Sequence, residues 1–181
     1  MTAELSRAPH LLADRYAPIR RLAVGGMAEI YLVRQADLDG AARPPGFEKQ
    51  LVVKRLKPEL AGDTRVVGMF LDEARIGALL DHPHVVQVYD VGEQEAAPFI
   101  AMEYIRGEEL NQLCRRGLAA GRFLPLEHAV ELVRQAAMAL GHVHALRDVD
   151  GRGLDIVHCD ISPTNLLVTE DGFLKLIDFG I

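Results

Sequence analysis

The sequence predicts an α+β chain in two parts: a five-stranded antiparallel sheet with one helix, then a mainly helical part. Three observations predict it. Short β-type segments dominate from Tyr16 to Tyr104, one stretch of helical periodicity interrupts them, and the composition turns helical beyond that point. The two parts are expected to meet near Tyr104 to Glu109.

The first fifteen residues read as a flexible leader. From Tyr16 come the segments YAPIRRLAV, EIYLVRQ and KQLVVKRL, rich in the β-branched and aromatic residues that suit a half-buried pleat. Between the second and third lies DLDGAARPPG, whose Gly, Pro and Asp predict an extended hairpin loop. A helix follows from about Asp63 to Leu80, with Val67, Phe70, Leu71, Ala74 and Ala78 on one face. Asp63 is placed to cap its start, and Pro83 forbids its continuation. VVQVYDV and PFIAMEY supply two more strands. A long helix, opened by Pro125, aligns Leu126, Val130, Val133, Ala137 and Leu140. NLLVTE and FLKLID then form a hairpin about Asp171-Gly172.

Bulk properties narrow the function. The 181 residues are 49% hydrophobic and 25% charged, the balance of a globular chain rather than a disordered one. A formal charge of −6 and the absence of any long basic run argue against a nucleic-acid partner. Cys114 and Cys159 lack a CxxC spacing and read as free thiols of a cytoplasmic protein. The N-terminus lacks the apolar core of a signal peptide, and no apolar run reaches membrane-spanning length.

Within this frame several motifs carry chemistry. In LAVGGMAEIY, Gly25 and Gly26 let backbone approach an anion without a Cβ in the way, although paired glycines are also ordinary at a hairpin turn. Lys54 follows the apolar run Leu51-Val52-Val53, so it either snorkels from a strand end or meets a carboxylate. Glu73, beside the apolar face of the first helix, is the expected partner. IVHCDISPTN places Asp160 and Asn165 in one short loop, and Asp178 follows the next hairpin. Taken singly, both aspartates also suit turn caps.

Other residues draw attention for less. His142 and His144 stand two apart on a helix and point in different directions, which disfavours a metal pair. His82-Pro83-His84 reads as a helix-terminating turn. Cys159, beside Asp160, reads as a neutral substitution before it reads as a reactive thiol.

Together GGMAEIYLV, VVKRL, EARIGALLDHPHVVQVYDVG, MEYIRGEEL, HCDISPTNLLV and LIDFG resemble the eukaryotic-like protein kinases, especially their bacterial serine/threonine branch. The resemblance runs from Tyr16 to the last residue. It implies a two-lobed protein-kinase-like fold, with a smaller lobe over 16–104 and an incomplete, mainly helical larger lobe over 105–181. It implies transfer of the ATP γ-phosphate to a serine or threonine hydroxyl of a protein substrate, with Mg²⁺. Leu22 and Ile30 would then bracket the adenine, and Gly25 and Gly26 would lie over the phosphates. Lys54 would hold the α- and β-phosphates and be held by Glu73. Met102 would stand at the back of the adenine pocket. The Glu103 carbonyl and the Ile105 amide would bond the adenine edge, and Glu109 would reach the ribose. Asp160 would accept the proton of the substrate hydroxyl, and Asn165 and Asp178 would carry the metal.

The sequence also departs from the family. Ala23 and Ala28 stand at the outer glycine positions of the phosphate loop. Cys159 replaces an arginine that meets a phosphorylated activation segment. Ser162 replaces a lysine that stabilises the transferring phosphate, and a small residue there also resembles tyrosine kinases. The sequence stops just past DFG, so a fragment of a longer gene product is expected. An ATP-binding pseudokinase or regulatory fragment is the alternative reading. A tyrosine or dual-specificity kinase and a small-molecule phosphotransferase stand behind it.

Overall fold

The computed structural model describes residues 15–35 and 49–179. Nearly all of the expected leader, the predicted loop over 37–46 and Gly180 of the DFG motif lie outside the described residues. The chain divides into two compact units: Met1–Ala74 with Val88–Tyr104, and Arg75–Gln87 with Ile105–Ile181.

The first unit is a five-stranded antiparallel sheet. Strands β1 (Tyr16–Val24), β2 (Ala28–Gln35), β3 (Gln50–Leu56), β4 (Val88–Gln94) and β5 (Ala97–Glu103) lie in the order β1-β2-β3-β5-β4. Alternation sorts their side chains onto two faces. Leu51, Val53, Phe99 and Ala101 form one cluster with Tyr16, Tyr31 and Val33. Leu56 and Ile100 point the other way and pack with Ala28 and with Phe70 and Ala74 of helix α1 (Thr64–Leu79). The cap of α1 forms as predicted: Asp63 Oδ1 accepts the Arg65 N–H at 3.0 Å and the Val66 N–H at 3.3 Å. Of the predicted apolar face, Ala78 alone is solvent-exposed.

Strand β4 begins at Val88, not at Val85 as VVQVYDV suggests. Val85 and Val86 are buried in the second unit, where Val85 bridges Leu176 in parallel and the Val86 N–H donates to the Leu176 carbonyl at 2.9 Å. A competing strand has taken their hydrogen bonds.

The second unit holds a three-stranded sheet, β6 (Gly107–Glu109), β7 (Leu166–Thr169) and β8 (Leu174–Leu176), in that order. Gly107 is required, because a Cβ there would run into the Val168 carbonyl. The predicted turn forms, with Gly172 at φ 82°. Helix α2 (Leu110–Ala119), which periodicity alone does not single out, buries no residue fully.

Helix α3 (Leu126–His144) opens at Pro125 as predicted, yet the face it buries is not the predicted one. Leu132, Gln135, Ala139 and Val143 are buried; of the predicted set Leu140 is half-buried against the same core, while Leu126, Val130 and Val133 are 77%, 60% and 67% exposed and Ala137 is also exposed. Both faces are apolar enough to satisfy a helical period. The choice falls to the hairpin: Leu166, Leu174 and Leu176 meet the Leu132–Val143 side, and Gln135 Oε1 accepts the Leu174 N–H at 2.7 Å.

Candidate active site

In the first unit, strand register carries Lys54 to its partner. Lys54 pairs with Ile30 of β2 and Ile100 of β5, so it stands on the sheet face that packs against α1. There its Nζ donates to Glu73 Oε1 at 2.5 Å, with the two side chains 14% and 19% exposed. A strand-end lysine reaching for solvent does not look like this. Partial burial strengthens the pair and makes loss of either member costly.

The other first-unit candidates lie on β1, β2 and β5 and in the β1–β2 turn. Ile30 is half-buried beside Lys54, and Ala23 pairs with Ile30, which places Leu22 next to that position on β1. Met102 pairs with Val52 and packs at the edge of the α1-facing cluster; Glu103 ends β5. Gly25 and Gly26 form the exposed turn between β1 and β2, closed by the Gly25 N–H to the Ala28 carbonyl at 2.8 Å. Neither glycine has a positive φ, and a Cβ on Gly26 would meet nothing within 4 Å. The turn's own conformation therefore gives no reason for glycine there.

The second unit carries the remaining candidates. Asn165 Nδ2 donates to Asp160 Oδ2 at 2.8 Å and to the Asp160 carbonyl at 3.0 Å. Reversing the amide would set its oxygen against two acceptors, so chemistry fixes the orientation. The Asn165 amide oxygen is left clear of both. The Asn165 carbonyl in turn accepts the Ile177 N–H at 3.0 Å, which ties the loop to the residue before Asp178. Ser162 and Thr164 share a hydroxyl–hydroxyl bond of 2.7 Å where the family pattern has a lysine. Ile105 is half-buried, and Glu109 ends β6 in register with Leu167.

One residue escaped the sequence reading. His158, 1% exposed, accepts the Asp160 N–H at Nδ1 (3.3 Å) and offers Nε2–H to the Ile177 carbonyl at 3.2 Å. Its ring also tilts against Phe179, with centroids 4.7 Å apart. It thus joins the Asp160 loop to the segment carrying Asp178. Burial lowers its pKa, so the neutral ring with Nε2 protonated fits both bonds. The only sequence signal was its place two residues before Asp160.

Two non-glycine residues here hold left-handed backbone: Cys159 at φ 63° and Asp178 at φ 53°. Each conformation costs about 1 kcal/mol or more, and such strain concentrates at functional sites. Cys159 and Cys114 are free and exposed. Among the described residues no cluster of three His, Cys, Asp or Glu side chains is arranged to hold a metal. The donors offered by Asn165 and Asp178 are one amide and one carboxylate oxygen, hard ligands of the kind Mg²⁺ accepts when phosphate and water complete its shell.

The chain belongs to the protein kinase domain family, whose model matches residues 24–181. It is 39% identical over 166 residues to the tyrosine-protein kinase MasK of Myxococcus xanthus, covering 92% of this chain and 25% of that protein. It is 33% identical over 170 residues to the serine/threonine-protein kinase PrkC of Bacillus subtilis, covering 94% and 23%. The crystal structure of the Mycobacterium tuberculosis PknI kinase domain superposes with a TM-score of 0.67 at 31% identity, over 92% of this chain and 58% of that one. The chain thus spans about a quarter of the length of these curated relatives.

Proposed function

We propose that residues 16–181 are the nucleotide-binding and phosphoryl-transfer part of a serine/threonine protein kinase, using ATP and Mg²⁺ on a protein hydroxyl. The Lys54–Glu73 ion pair carries this reading. Glu73 fixes the direction of the ammonium, so Lys54 presents a point charge to phosphate oxygens without paying again for orientation. Leu22, Ile30 and Met102 offer apolar surface to an adenine, and Glu103, Ile105 and Glu109 offer polar groups to its edge and ribose. Gly25 and Gly26 keep the turn thin enough for backbone to approach phosphate.

Asp160 would accept the hydroxyl proton. One of its oxygens is held by Asn165, which leaves the other for a substrate. Asn165 and Asp178 would hold Mg²⁺, which when bound neutralises phosphate charge. His158 acts through these groups as a positioning residue. A cytoplasmic setting agrees with two exposed free thiols. Among the described residues no helix is long and apolar enough to cross a membrane. The acidic net charge argues against a nucleic-acid partner.

A tyrosine acceptor is the second reading, favoured by Ser162 at the lysine position and by the similarity to MasK. Retention of Lys54, Glu73, Asp160, Asn165 and Asp178 argues against a pseudokinase. The test uses the full gene product with a generic protein acceptor, followed by phosphoamino-acid analysis. Lys54→Met should lower transfer by about 10²-fold or more while the protein stays folded. Unchanged transfer would remove the nucleotide-site assignment, and phosphotyrosine alone would select the second reading.

A further inference from the structure

Three histidines outside the proposed catalytic groups gather in the second unit. The His82 ring stacks on His142 of α3, with centroids 5.1 Å apart and planes 29° from parallel, and lies 5.5 Å from His84. His82 Nδ1 accepts the His84 N–H at 3.1 Å. His84 is buried and donates from Nδ1 to the Leu174 carbonyl at 3.0 Å. His142 Nε2 is buried with no hydrogen-bond partner.

The surrounding charges add to the tension. Lys175 of β8 reaches the Val85 carbonyl at 3.4 Å and acts on His82 as a further positive neighbour. Glu131 of α3 is the carboxylate that interacts with His84. It is already engaged by Arg134 at 2.6 and 2.7 Å and by Gln135 at 2.9 Å. At neutral pH the His82 ring is uncharged and stacks on His142. On acidification, a proton on its Nδ1 sets a donor against the His84 N–H and a positive charge beside Lys175, and the nearby Glu131 carboxylate is already bonded elsewhere.

The position gives this cluster a consequence. The segment that carries His82 and His84 also binds β8: the Val86 N–H donates to Leu176 at 2.9 Å, and the Leu176 N–H donates to the His84 carbonyl at 2.8 Å. Strand β8 runs directly into Ile177 and Asp178.

We propose that His82, stacked on His142 and accepting the His84 N–H, is an acid-sensitive joint whose protonation loosens the 82–86 segment from β8, and with it the anchorage of Asp178. Burial and the neighbouring His142, His84 and Lys175 lower the pKa of His82, in keeping with a joint that favours its neutral ring.

The test is amide hydrogen exchange on the 181-residue chain, read as protection factors at Val86 and Leu176, with β3 amides of the first unit as internal control. Between pH 7.5 and 5.5, protection at Val86 and Leu176 should fall by about threefold or more relative to β3. In His82→Phe, which keeps a ring against His142 without the titrating nitrogen, that relative fall should shrink. An equal fall in the variant, or none in the wild type, would overturn the joint. Imidazole NMR titration of the wild type gives an answer even if the variant misfolds. Titration of His82 below the ordinary imidazole range supports the proposal; titration at or above that range defeats it.

Discussion

Ser162 sits two residues from Asp160 with its hydroxyl spent on Thr164, so no side-chain cation stands at the position the kinase pattern reserves for lysine. Electrostatic contacts to a developing charge are each worth roughly 10²–10³ in rate. Ser162→Lys in the full gene product is therefore expected to raise kcat, measured by phosphate transfer to a protein acceptor. An unchanged or lower kcat would mean that this loop compensates by other means. The same scale shows what residue reading missed. His158 joins two parts of the site through bonds from both ring nitrogens, and no spacing rule announces that.

Helix α1 owes its start to one side chain. Asp63→Ala removes bonds to two terminal N–H groups and should cost about 1 kcal/mol, or roughly 2–4 °C in Tm for a chain of 150–250 residues. Helix α3 makes a sharper case, because sequence and structure disagree about its inward face. Ala139 is fully buried and Val133 is 67% exposed. Ala139→Glu should cost the 181-residue chain about 3 kcal/mol or more by burying a carboxylate. Val133→Glu should stay within about 0.5 kcal/mol in urea unfolding and reduce self-association through the Leu126–Val130–Val133 stripe. The reverse order of costs would restore the face that periodicity suggests.

At the scale of the molecule, two buried or crowded histidines couple stability to pH. Burial lowers the pKa of His158 and, together with its basic neighbours, that of His82. The unfolded imidazoles take up protons near pH 6.5, before the folded ones do. The unfolded state therefore binds more protons between the two values, and stability falls as the pH is lowered across that window. The urea midpoint should hold above about pH 7 and decline from roughly pH 6.5 downward. His158→Gln is expected to flatten the decline by removing one titrating group. A midpoint independent of pH between 7 and 5 would contradict the neutral, buried state of these rings.

The sequence by itself determined the five strands, the Asp63 cap, the Pro125 start, the Gly172 turn and the Lys54–Glu73 partnership. Each is written in local chemistry or in a period-2 alternation that fixes a side chain's face. Only the tertiary structure decided which apolar face of α3 is buried, because two faces satisfied the same period and the β7–β8 hairpin selected one. Likewise Val85 and Val86 look like strand residues, and a parallel bridge to Leu176 claims them for a different unit. The histidine cluster is invisible in sequence for the same reason. His82 and His142 meet through packing between distant segments, and no local propensity encodes a contact of that kind.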